Sequence, residues 1–89
     1  MRIKEGFVLR SINKDHVVIG EGLAQVNFDM LVTLNGSGTY LWEQVTGKDF
    51  TVQDLANLLQ SRYEVDAQTA TADAGAWARK LLDNGLLEP

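Results

Sequence analysis

Apolar residues change their spacing about a third of the way along the chain, from the period of a strand to that of a helix. Phe7, Val8, Leu9, Arg10, Ser11 and Ile12 form a first run rich in strand formers, and His16, Val17, Val18, Ile19 and Gly20 form a second. Asn13, Lys14 and Asp15 between them are turn formers, so the two runs predict a hairpin. Gly20, Glu21 and Gly22 break the pattern. Residues 23–29 stay ambiguous, because Val26 and Phe28 alternate with polar neighbours over too short a stretch. Met30, Leu31, Val32, Thr33 and Leu34 predict a third strand, with Met30, Val32 and Leu34 on one face because strand side chains alternate.

From Asn35 onward the spacing is helical. Asn35 is a good N-cap, and Tyr40, Leu41, Trp42 and Val45 mark a short amphipathic helix of a turn and a half, ending at Gly47. Thr51 with Asp54 three residues later reads as a capping box, and Val52, Leu55, Leu58, Leu59 and Tyr63 recur at helical spacing behind it. Tyr63, Glu64, Val65 and Asp66 make a tight connection. Asp66 then caps a third helix with the stripe Ala70, Ala74, Trp77, Ala78, Leu81 and Leu82, and Gly85 stands where a left-handed C-cap is expected. Leu86 and Leu87 fold back as a small strand or a closing apolar clip. The expected fold is α+β and winged helix-turn-helix-like: three N-terminal antiparallel strands followed by three helices.

Composition narrows what such a fold can do. Eighty-nine residues, 45% of them hydrophobic and 22% charged, suit one globular domain over residues 1–89. A domain this small buries only about 60% of its unfolded surface, which leaves little for an enclosed active site. The absence of cysteine excludes disulfides, thiolate metal sites and cysteine nucleophiles. No apolar run reaches the roughly 18 residues of a membrane span, and the start of the chain lacks a signal peptide's apolar core, so a cytoplasmic protein without membrane contact is expected. Net charge is −4 but uneven: residues 1–14 carry Arg2, Lys4, Arg10 and Lys14 against Glu5, while the remainder carries four basic and eleven acidic side chains. These charges make either a solvated surface or a basic ribbon for an acidic partner.

Candidate chemistry is sparse. His16 is the only imidazole, so no site needing two is available, and a strand histidine is ordinarily a surface or packing residue. Ser11, Ser37 and Ser61 lack a nucleophile-elbow context. Gly36, Ser37 and Gly38 fit neither the Rossmann nor the P-loop spacing; they let the first helix leave its strand closely. Asp49, Asp54, Asp73 and Asp83 form no pair with split pKa values. Trp42 and Trp77 fall on the apolar stripes of their helices. No catalytic constellation, metal site or cofactor site emerges, and the expectation is a protein that is not an enzyme.

Ordered segments along nearly the whole chain resemble the PqqD-like family, named for the D protein of pyrroloquinoline quinone (PQQ) biosynthesis. They are Gly6-Phe7-Val8-Leu9-Arg10, Leu31-Val32-Thr33-Leu34-Asn35, Thr39-Tyr40-Leu41-Trp42-Glu43, Thr51-Val52 leading to Leu55 and Leu58, Tyr63-Glu64-Val65-Asp66, and the closing Leu81 with Gly85-Leu86-Leu87. The wider group comprises recognition elements for ribosomally synthesised, post-translationally modified peptides (RiPPs). The resemblance implies a non-catalytic peptide chaperone that binds the leader of a precursor peptide and presents it to a separate maturation enzyme, often a radical S-adenosylmethionine protein.

The resemblance further implies that the leader adds as a strand between the third strand and the third helix. The residues expected there are Met30, Leu31, Val32, Thr33 and Leu34 on the strand, and Ala74, Gly75, Trp77, Ala78 and Leu81 on the helix. Strand addition draws affinity from unpaired backbone groups, and small helix residues leave room for peptide side chains. Trp77 and Leu81 either wall pockets there or belong wholly to the core. Gly75, mid-helix at a cost of about 1 kcal/mol relative to alanine, suggests a close approach by a peptide or by the first helix.

Two other functions remain open. A winged-helix nucleic-acid-binding protein would need basic or amide groups at the start of the third helix, where Asp66, Gln68, Thr69, Thr71 and Asp73 stand instead, so the sequence argues against a nucleic-acid partner. A structural or adaptor homodimer would use the same open strand edge.

Overall fold

The computed structural model describes residues 1–20 and 32–88. The elements run β1 (Arg2–Ile3), β2 (Phe7–Ile12), β3 (Asp15–Gly20), β4 (Val32–Leu34), α1 (Gly36–Val45), α2 (Val52–Arg62), α3 (Ala67–Asp83) and β5 (Leu87–Glu88). The fold is α+β, with β2, β3 and β4 forming an antiparallel sheet in that order, followed by three helices. This is the winged-helix-like arrangement expected from the sequence.

The hairpin turns on Asn13 and Lys14, with Ile12 opposite Asp15 and Asn13 at φ 57°. Asparagine tolerates that left-handed conformation better than most residues. The hairpin register places Val18 opposite Leu9, and β4 pairs on the other side of β3, with Val18 opposite Val32 and His16 opposite Leu34. Val18, Val32 and Leu34 are buried and Thr33 is exposed, as strand alternation requires. Met30 and Leu31, which the sequence assigns to this strand, and the ambiguous segment 23–29 lie outside the described residues.

The helix starts follow their caps. Asn35 Oδ1 accepts from the Gly38 amide at 2.7 Å, and Asp66 Oδ1 from the Thr69 amide at 2.6 Å. At α2 the capping box is complete: Thr51 Oγ1 accepts from the Asp54 amide at 3.1 Å, and Asp54 Oδ2 from the Thr51 amide at 2.9 Å. At the end of α3, Gly85 at φ 75° donates its amide to Leu82 O and Leu86 donates to Leu81 O, a Schellman ending that drives Leu86 into the core against Leu81.

Three expectations change. The first helix is ten residues, nearly three turns at 3.6 per turn, because Gly36, Ser37 and Gly38 belong to it rather than to its approach. Leu82 is exposed, since it lies 100° round the helix from Leu81. The first residues of the chain are not only a charged ribbon: β1 pairs with β5, Arg2 opposite Glu88 and Ile3 opposite Leu87. The Lys4 amide donates to Leu86 O, and Phe50 and Met1 exchange backbone bonds of 2.7 and 2.8 Å. Both ends of the chain thus close one side of a core that includes Ile3, Val18, Leu34, Leu41, Leu55, Leu81 and Leu86.

Candidate functional site

Within the described residues β4 has a single neighbouring strand, β3, and α3 passes along its other side. Between them runs a groove of about 620 Å³. Thr33, Leu34 and Asn35 form its strand wall, Asp73, Ala76, Trp77 and Lys80 its helix wall, and Leu41 and Leu59 are part of its lining from below. Ser37 and Gly38 at the start of α1 border one end, with Asp15 nearby on β3.

Trp77 is the hinge of this arrangement. Its ring packs 6.1 Å from Phe50, centroid to centroid, and only 8% of the residue is exposed. Gly38 packs closely beside it: a Cβ there would stand 3.0 Å from Asn35 Oδ1 and 3.4 Å from the indole. The first turn of α1 therefore approaches the tryptophan closely at Gly38. Among the described residues the buried indole Nε1 meets no hydrogen-bond acceptor.

Across the groove, Lys80 Nζ donates to the Thr33 carbonyl oxygen at 2.8 Å. That bond shows which way Thr33 faces. In an antiparallel ladder the N–H and C=O of one residue point to the same side, so a carbonyl that meets α3 brings its own N–H to the groove as well. The β4 backbone thus offers a donor and an acceptor where a further strand would pair.

The expected site residues divide three ways. Thr33, Leu34 and Trp77 line the groove. Val32, Ala74, Ala78 and Leu81 are core residues, 0–3% exposed, and lie beneath the walls rather than in them. Gly75 faces neither: a Cβ built on it meets none of the described residues within 4 Å, so the helix is not approached there by α1. Met30 and Leu31 lie outside the described residues. The helix wall instead uses Asp73, Ala76, Trp77 and Lys80, spaced i, i+3, i+4 and i+7, a helical face legible in the sequence but polar enough to pass as solvated surface.

Among the described residues no competing chemistry assembles. Ser11 Oγ comes within 3.3 Å of His16 Nδ1 as a cross-strand pair on the hairpin, and neither residue lines the groove. Among the described residues no three His, Asp or Glu side chains cluster as metal ligands, and no helix is long and apolar enough to cross a membrane.

Comparison with known proteins agrees with this architecture. Residues 16–87 match the family model of coenzyme PQQ synthesis protein D (PqqD), starting in β3 and including β4 and all three helices. No curated protein sequence matches the chain. Two solved structures share the fold. One, TbiB1 in complex with the TbiA(beta) leader peptide, superposes with a TM-score of 0.73 at 20% identity, covering 99% of this chain and 95% of the other. The second, lasso peptide synthetase B1 complexed with the leader peptide, gives 0.71 at 20% identity, with 99% and 96% covered.

Proposed function

The chain belongs to the family of coenzyme PQQ synthesis protein D, and from that premise we propose that it is a leader-peptide-binding module that holds a precursor peptide as an added strand on β4. The carrying observation is the groove itself: an edge strand with Thr33 facing outward, backed by a helix wall and an apolar floor of Leu41 and Leu59. Strand addition needs both parts, unpaired backbone groups for affinity and side-chain pockets for selectivity. That both solved relatives are complexes with leader peptides supports this use of the fold.

In this reading the module performs no catalysis. It hands its peptide to a separate modification enzyme, with radical S-adenosylmethionine proteins as one such class, and it acts in the cytoplasm, where ribosomal precursors arise. The domain spans residues 1–89 and takes no cofactor. A nucleic-acid role is disfavoured because Asp15 and Asp73 line the groove and Asp66 caps the helix that would enter DNA.

The test is an amide-resolved NMR titration with a synthetic peptide covering the leader of a short open reading frame beside the gene. Saturable shifts confined to residues 32–35 and to Asp73, Ala76, Trp77 and Lys80 are expected. Shifts at Arg2, Lys4 and Arg10 on adding duplex DNA, with none in the groove on adding peptide, would overturn the proposal.

A further inference from the structure

We infer that Lys80 is a placeholder on the β4 edge and, once displaced, the residue that selects an acidic side chain on the incoming peptide. This rests on the strand-addition reading above and extends it to the peptide's chemistry. In the free protein the Lys80 ammonium occupies the Thr33 carbonyl at 2.8 Å, across 47 residues of sequence. That oxygen is the acceptor an added strand must use. The bond is solvent-exposed, so it is weak enough to be exchanged for a peptide N–H. A lysine at the free edge of a strand also discourages indiscriminate pairing, since an apolar strand without a charge partner would have to bury or expel it.

Displacement leaves a cation at the lip of the groove, beside the new strand. An ammonium there is best satisfied by a carboxylate, through a charge-assisted hydrogen bond. The other charges of the groove give this a polarity. Asp73 stands seven residues earlier on α3, about 10 Å along the axis at 1.5 Å per residue, and Asp15 lies on β3 opposite Ile12 at the hairpin end of the sheet. A peptide acid is therefore repelled where Asp15 and Asp73 line the groove and drawn to Lys80. The selected peptide carries Asp or Glu at the position that flanks Thr33, in addition to its apolar anchors.

The experiment is a selection of displayed random short peptides on the immobilised wild-type protein and on Lys80→Met, a variant that keeps the unbranched stem at an exposed position and removes the ammonium. Winners are then remeasured by fluorescence anisotropy against Ala76→Arg, which fills the groove. Wild-type winners should share an acidic residue at a fixed distance from their apolar anchors, and Lys80→Met winners should lack it. Replacing that Glu by Gln in a wild-type winner should weaken binding about fivefold to wild type and hardly at all to Lys80→Met. The same acidic preference in both selections, or none in the wild type, overturns the role of Lys80 while leaving strand addition intact. Winners that bind Ala76→Arg undiminished, or no enrichment at all, overturn the groove reading and this inference with it.

Discussion

Two faces of α3 lie side by side and do different work. One, formed by Ala70, Ala74, Ala78 and Leu81, is sealed against α2 and the rest of the core, with exposures of 0–3%. Its neighbour, formed by Asp73, Ala76 and Lys80, borders the groove, and Trp77 serves both. Small residues on the sealed face let α3 approach its neighbours closely; they make no room for a ligand. Small size at Ala76 has the opposite consequence, because among the described residues it borders the open groove. A stripe of alanines therefore says how near something comes, and only the surroundings say whether that something is the protein itself.

The comparison is broken most strongly on the sealed face. Leu81→Ala should destabilise the protein by about 2–5 kcal/mol through the cavity it leaves, seen as an earlier midpoint in urea unfolding with an unchanged slope. If stability were untouched, Leu81 would not be the core residue its burial indicates. On the groove face the signature reverses. Ala76→Arg should keep the wild-type unfolding midpoint within about 0.5 kcal/mol, as exposed substitutions do, yet lower leader-peptide affinity at least tenfold. Thr33→Pro sharpens the same point from the strand side. It deletes the edge N–H and sets a ring in the path of an added strand while β4 keeps its pairing with β3, so the hairpin amides should keep their chemical shifts and peptide binding should vanish.

A third face gives the smallest effect. A Cβ at Gly75 meets none of the described residues, so Gly75→Ala should stabilise the helix by about 0.5–1 kcal/mol and leave peptide affinity unchanged. A loss of affinity would move the peptide to a side of α3 remote from Lys80.

Acid tests the anchoring of both faces at once. The Thr69 amide and hydroxyl hold the exposed Asp66 carboxyl below its ordinary value. A depressed folded-state pKa contributes stability that is fully present above the ordinary aspartate range near about 4 and is lost as pH falls through the lower, folded-state value. Asp66→Asn, which also caps, should flatten that part of the stability curve in circular dichroism melts between neutral and strongly acid pH.

Much of this architecture is written locally. Caps at Asn35, Thr51 and Asp66, the Asn13 turn, the Gly85 ending and the helical stripes are decided by residues within a few positions of one another, because capping bonds and side-chain periodicity are short-range. From the same signals the chain's α+β order, with strands before helices, could be read, and the ordered segments pointed to its family. The candidate site is legible only in part: the strand and stripe positions point to Thr33, Leu34 and Trp77, whereas Asp73, Ala76 and Lys80 are hidden in a face that looks like ordinary solvated helix.

Tertiary structure decided the rest, since it depends on groups distant in sequence. Ile3 meets Leu87, the amino group of Met1 meets Phe50, and Lys80 reaches Thr33. Pairings of two-residue strands and single side-chain reaches leave no periodic trace in a sequence. Which side of α3 became core and which became groove was fixed by where the sheet and the other helices left it uncovered, and no spacing along one helix records that.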